Sequence, residues 1–181
     1  MKGENITKKI NGEIRSNITY EEFKKVFMVF ESYPYFLDLT DQFIIDEYNY
    51  FHNGGYGYGY YTEEGQCVAF ITMKPFKSGD HPVEYPKDLK VMYIAHLATM
   101  PEYRNQGIGS KLFKHAIQQM EEMGYDYAYF RTLKENSMSY SIGIKFGFTE
   151  IPNIIECIER KKKDGSFVKD SEIFLEKKLA K

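Results

Sequence analysis

The segment that most restricts what this chain can fold into runs from Lys90 to Gly124. Lys90-Val-Met-Tyr-Ile-Ala-His-Leu-Ala-Thr99 is apolar along nearly its whole length and reads as a buried central strand. Pro101 to Gly109 is a loop carrying two glycines. From it, Ile108, Leu112, Phe113, Ala116, Ile117 and Met120 recur at helical spacing, with Gly124 as the C′ residue. A buried strand passing through a glycine loop into an amphipathic helix places the chain among α/β sheets.

The flanking segments extend the same pattern. Thr19-Tyr-Glu-Glu22 is a capping box and predicts a helix over about Tyr20 to Glu31, with Phe23, Val26, Phe27 and Phe30 on its apolar face. Thr40 or Asp41 caps a second helix, about Gln42 to Phe51. A short first strand is expected around Ile10 to Ile14. Tyr56, Tyr58 and Tyr60 alternate with Gly57 and Gly59, which is strand period with rings on one face and bare backbone on the other. Cys67 to Lys74 pairs with this strand as a hairpin. Beyond Gly124 come a strand over Tyr125 to Leu133, a short helix over Asn136 to Lys145, and two strands, Phe148 to Arg160 and Ser166 to Lys178, joined at Lys163-Asp-Gly165. The order is β-α-α-β-β-β-α-β-α-β-β, an α/β mixed sheet in one domain over residues 1–181.

Composition narrows the function. A net charge of −2 and a pI near 6.1 argue against a nucleic-acid partner, which selects a basic face. No apolar stretch approaches the roughly 20 residues that span a bilayer, so no membrane partner is expected. The N-terminus lacks an apolar core for a secretory signal, and the two cysteines sit in apolar runs, so a cytoplasmic location is expected. Between Val26 and Met73 there is no Lys or Arg, while Glu31, Asp38, Asp41, Asp46, Glu47, Glu63 and Glu64 all fall there beside many aromatics. Such a stretch is suited to a cation, or is simply a solvated face over a core. The Arg160-Lys-Lys-Lys163 run reads as a solvated turn. His52, His81 and His115 lack metal-ligand spacing, so no metal is expected.

The loop Arg104-Asn-Gln-Gly107-Ile-Gly109-Ser110 is where chemistry first shows. A helix start presents unpaired N–H groups and a positive dipole end, and glycines let a bulky anion come close. Arg104-x-x-Gly107-x-Gly109 is therefore a phosphate cradle, without the Lys-Ser/Thr of a Walker loop or the third glycine of a dinucleotide fingerprint. The same spacing also serves a strand–helix turn that needs glycine only for packing.

With Pro101-Glu-Tyr-Arg104, Gly107 and Gly109, and with Asn136 leading into Gly147-Phe148, the chain resembles the GNAT superfamily of acyl-CoA-dependent N-acyltransferases. The resemblance is strongest from Val91 to Ile151 and implies acetyl-CoA as acyl donor, with no metal. It implies that the strand ending at Thr99 splays from its neighbour and that the pantetheine arm bonds backbone at Leu97, Ala98 and Thr99. The pyrophosphate would lie on Arg104, Asn105, Gln106, Gly107, Ile108, Gly109 and Ser110, and Asn136 would contact the arm. Many members carry a tyrosine acid seven residues after the Asn; here that position is Gly143. Tyr140 or Tyr129 are the substitutes at hand, although a thiolate can also leave unassisted.

A protonated amine needs a base before it can attack a thioester. His96 is the first candidate; strand alternation does not say which face it takes, and a packed core histidine is the competing reading. Tyr93 and Glu84 are lesser candidates. The function expected is transfer of acetyl from acetyl-CoA to a primary amine, on a cationic small molecule or a peptide. A module of the same fold that binds acyl-CoA without catalysis is the alternative. The oligomeric state is left open, a homodimer included.

Overall fold

The capping box forms as expected. Thr19 Oγ1 accepts the Glu22 N–H at 3.3 Å and the Glu22 carboxylate accepts the Thr19 N–H at 2.9 Å. The structure, a computed structural model, describes residues 10–32, 39–133 and 137–180. Its elements are β1 Gly12–Ser16, α1 Tyr20–Phe27, α2 Asp41–His52, β2 Tyr56–Thr62, β3 Cys67–Pro75, β4 Val91–Thr99, α3 Ile108–Glu122, β5 Tyr127–Leu133, α4 Ser137–Lys145, β6 Thr149–Lys161 and β7 Phe167–Lys178. The order matches the expectation. Helix α1 is shorter than its pattern, because the chain tightens after Phe27 into a 3-10 turn over Met28–Ser32, a common way to finish a helix.

The strands form one mixed sheet in the order β1-β2-β3-β4-β5-β7-β6. Every pair is antiparallel except β4–β5, which α3 joins as a crossover. Helix α3 covers one face: Ile108, Leu112, Phe113, Ala116, Ile117 and Met120 pack with Ile71, Met73, Met92, Ile94, Phe130 and Phe148. Helices α1 and α2 cover the other face near β2 to β4, where Phe23, Val26, Phe27, Ile44 and Phe51 pack on Phe70 and Ala98. A third cluster, with Val83, Tyr93, Tyr129 and Phe174, lies under the β3–β4 connection.

The tyrosine–glycine strand shows how sequence sets these layers. Tyr58 and Tyr60 enter the α3 core, while Tyr56 stays exposed. A Cβ on Gly57 would stand 2.8 Å from a Phe51 ring carbon, so the bare backbone lets α2 close down. Tyr61, by ordinary alternation, faces the α1 side, where its hydroxyl donates to Glu22 of the capping box at 2.9 Å, and the extra residue of the local bulge is Val68 on β3. Among the described residues no helix is long and apolar enough to cross a membrane.

Candidate active site

Two irregularities in β4 create the site. Against β3, Thr72 pairs with His96 and Met73 with Ile94, so Ala95 is an extra residue, a bulge. Against β5, β4 pairs only at Val91, Met92 and Tyr93; beyond Tyr93 the two strands part. The bulge breaks the alternation. Tyr93 faces the third cluster, Ile94 and Leu97 face α3, and His96 and Ala98 turn to α1 and α2.

His96 is consequently held on the α1–α2 side, with Phe27 edge-on at 5.4 Å between ring centroids. Its Nδ1 lies 2.9 Å from the hydroxyl of fully buried Thr72, and its Nε2 lies 3.1 Å from the Glu47 carboxylate on α2. The Thr72 hydroxyl serves either tautomer, donating to a bare Nδ1 or accepting from Nδ1–H. The imidazole is oriented from both ends.

A cavity of about 420 Å³ passes through the gap between β4 and β5. Phe43, Glu47, Tyr50 and His96 line it on the α2 side, and Leu97, Phe113, Phe130 and Ile142 on the α3 side. A polar cluster closes the remaining wall. Arg131 donates to the Tyr93 hydroxyl at 3.3 Å and to Glu172 at 2.9 Å, and Arg160 donates to the other Glu172 oxygen at 2.6 Å. Burial works against the Arg131 charge, but Tyr93 and Glu172 outweigh it and make the guanidinium more basic than usual. His81, from the β3–β4 connection, sits 2.7 Å from the Tyr129 hydroxyl and edge-on to Tyr93. Burial, reinforced by Arg131, lowers the His81 pKa, and burial raises that of Tyr129.

The glycine loop lies beyond the α3 end of this gap. Arg104 Nε donates to the Thr99 carbonyl at 3.1 Å, tying the loop to the end of β4. Asn105 and Gly107 both have positive φ, 61° and 77°, and Gly107 is the N-cap of α3. Left-handed backbone favours glycine at 107 for its conformation. Gly109 has ordinary φ; a Cβ there would meet nothing closer than 3.9 Å, to Ile142, Leu97 and Thr99, so the position is open rather than filled. Ile108 is buried and anchors the helix start. The Gln106 side chain accepts the Ile10 N–H at 3.2 Å, and Ser110 Oγ lies 3.4 Å from Lys145 Nζ.

The expected site residues fall into three groups. His96 and Leu97 line the cavity; Ala98, Thr99 and the loop from Arg104 to Ser110 continue from it. Asn136 lies outside the described residues. Tyr140 is not among the cavity-lining residues: its hydroxyl donates to Glu150 on β6 at 2.8 Å. At Gly143 a Cβ would stand 2.6 Å from Phe130 Cζ, so the phenyl ring holds the space a tyrosine would need. Glu84 is exposed, and His52 stacks on Tyr48. Of the acids, Asp41 pairs with Lys24 at 2.6 Å and Asp46 accepts from Gln42, both at the surface. Asp38 lies outside the described residues, and Glu47 is the one that faces the cavity. Sequence reasoning missed Thr72, Arg131, Arg160, Glu172 and Lys145, whose roles come from strand pairing and side-chain direction. Among the described residues no three His, Cys, Asp or Glu side chains gather to hold a metal.

No curated protein matches the sequence. Solved structures match across nearly the whole chain. The ribosomal-protein-S18-alanine N-acetyltransferase from Escherichia coli is 16% identical, with a TM-score of 0.69 over 94% of this chain and 96% of that one. An N-acetyltransferase from Staphylococcus aureus Mu50 is 16% identical at a TM-score of 0.67, over 93% and 98%. A GNAT family acetyltransferase from Elizabethkingia anophelis, solved with acetyl-CoA bound, is 19% identical at a TM-score of 0.60, over 93% and 99%. The model of the acetyltransferase (GNAT) family matches residues 19–148, from the α1 cap through the split strands and the glycine loop to Phe148. With the β4 bulge, the parting of β4 from β5 and the open loop at the α3 start in place, the chain belongs to the acetyltransferase (GNAT) family.

Proposed function

We propose that this protein transfers acetyl from acetyl-CoA to a primary amine inside the cavity between β4 and β5. The observation that carries the reading is one continuous cavity with an oriented imidazole, His96, on one side of the sheet and the glycine loop beyond the other. The residues present fit acetyl-CoA. The parted edges of β4 and β5 leave room for an extended arm, with Leu97, Ala98 and Thr99 on the β4 edge. Asn105, Gln106, Gly107, Ile108, Gly109 and Ser110 offer backbone N–H groups, helix dipole and open space to phosphates, while the Arg104 N–H is bonded to the Pro101 carbonyl and its part is to tie the loop to β4. Lys145 beside Ser110 adds a cation there. When bound, the donor supplies an activated acyl thioester.

The chain's own residues handle the amine. An arriving ammonium is attracted by Glu47. With the proton of His96 on Nδ1, where Thr72 accepts it, the Nε2 lone pair takes the proton of an ammonium that enters between Nε2 and Glu47. Glu47 then balances the imidazolium. The cationic character of the acceptor rests on Glu47 rather than on a wall of acids, because Asp41 and Asp46 face outward. A module that binds acyl-CoA without catalysis would use the same gap and loop, and Phe130 in place of a tyrosine at 143 is the feature on its side. The test is thiol release: the protein, acetyl-CoA and a pool of primary amines are mixed and free CoA is titrated. Amine-dependent release is expected; release no faster than without amines would leave only the binding module.

A further inference from the structure

The wall of the cavity away from Glu47 carries charges that the proton transfer does not use. Arg131 lies two residues beyond Tyr129 on β5, on the same face of the sheet as Tyr93. Its Nε reaches the Tyr93 hydroxyl and its Nη1 reaches Glu172, while its Nη2 amino group makes no hydrogen bond among the described residues. The Arg131 side chain is 39% exposed, whereas that of Glu172 behind it is 7% exposed. Arg160 completes the clamp from β6, bonded to Glu172 and 3.8 Å from buried Asp170. A guanidinium held at two nitrogens, on a residue that lines the cavity, is pre-organised for an anionic oxygen group. Of the residues lining this wall, two guanidiniums face one carboxylate. Glu47 and His96 sit across the gap, at the amine end.

We infer that the acceptor is an amino-acid-sized molecule bearing a carboxylate as well as its amine, and that Arg131 anchors that carboxylate while the amine lies at His96. The inference rests on the acetyltransferase reading and deepens it. One short skeleton suits the two ends, because the register Tyr93↔Tyr129, carried on by two residues, sets Arg131 opposite Ala95, the chain neighbour of His96. A free amino acid suits this better than a polyamine, which would bring a second cation against Arg131 and Arg160.

The test is a panel of amino acids, each assayed by CoA release beside its amide and its decarboxylated amine. For the preferred skeleton, the amino acid should exceed both partners in kcat/KM by about 10–100-fold, the scale of a charge-assisted hydrogen-bonded pair. In Arg131→Gln that ratio should fall to about one, with the loss in KM rather than kcat. Arg131→Lys, which keeps a charge beside Glu172, should recover only part of it and serves if the glutamine variant does not fold. Amides or decarboxylated amines as the best acceptors would overturn the inference while leaving the acetyltransferase standing. A ratio that survives in folded Arg131 variants would do the same. No CoA release with any amine would remove the acetyltransferase reading, and this inference with it.

Discussion

Replacing Gly143 with alanine tests the packing that separates this chain from relatives with a tyrosine at that place. In an exposed helix interior, glycine to alanine stabilises by about 0.8–1 kcal/mol. Here the new methyl would stand 2.6 Å from Phe130 Cζ and 2.9 Å from Cε1. The ring has little room to retreat, since it is 6% exposed and packs edge-on against Phe113 and Phe148 at 5.8 and 5.3 Å. Overpacking a filled core costs about 1–3 kcal/mol, so the net effect should be a destabilisation of about 0–2 kcal/mol. Phe130→Leu removes the offending ring atoms. In that background Gly143→Ala should stabilise by about 0.5–1 kcal/mol, inverting its sign, and the coupling of about 1–3 kcal/mol suits residues in contact. Urea unfolding of the four proteins measures the cycle, provided their m-values agree. If Gly143→Ala stabilised the unmodified chain by the full helical increment, the claim that Phe130 occupies the side-chain space of position 143 would be refuted.

Two further outcomes follow from the loop and the cavity wall. Gly109→Glu should fold normally, because the position is open, yet weaken acetyl-CoA binding severely by placing a carboxylate at the proposed phosphate position; unchanged affinity by calorimetry would remove the loop from the donor site. His81, lowered from an ordinary 6.5 by burial and Arg131, binds its proton more readily in the unfolded chain, so its contribution to stability falls as pH drops below about 6.5. His81→Gln should flatten that acid-side loss in denaturation midpoints taken across pH, and a slope equal to the unmodified chain's would count against a buried neutral imidazole.

Local signals carried most of the architecture. Thr19 and Glu22 announced α1, Thr40 announced α2, and the Tyr-Gly alternation announced β2, because caps and periodicity depend only on near neighbours. The loop from Arg104 to Ser110 was legible for the same reason. The direction of His96 was not. It depends on one extra residue, Ala95, set by the pairing of β4 with β3, and hydrophobic pattern does not record register. Glu47 could not be told from Asp41 and Asp46 in the sequence, since a helix face acquires its partners only when packed. Arg131, Arg160 and Glu172 come from three strands, and only the β5-β7-β6 order brings them to one wall.

The most direct measurement of the central claim is single-variant kinetics on His96. His96→Ala should cut amine-dependent CoA release by roughly 10²–10⁴-fold, the usual loss for a general base. Acetyl-CoA affinity, measured by calorimetry on the same protein, should stay close to that of the unmodified chain, because the glycine loop lies beyond the opposite side of the sheet. Turnover within a few-fold of normal in that variant would assign His96 to the core and contradict the account.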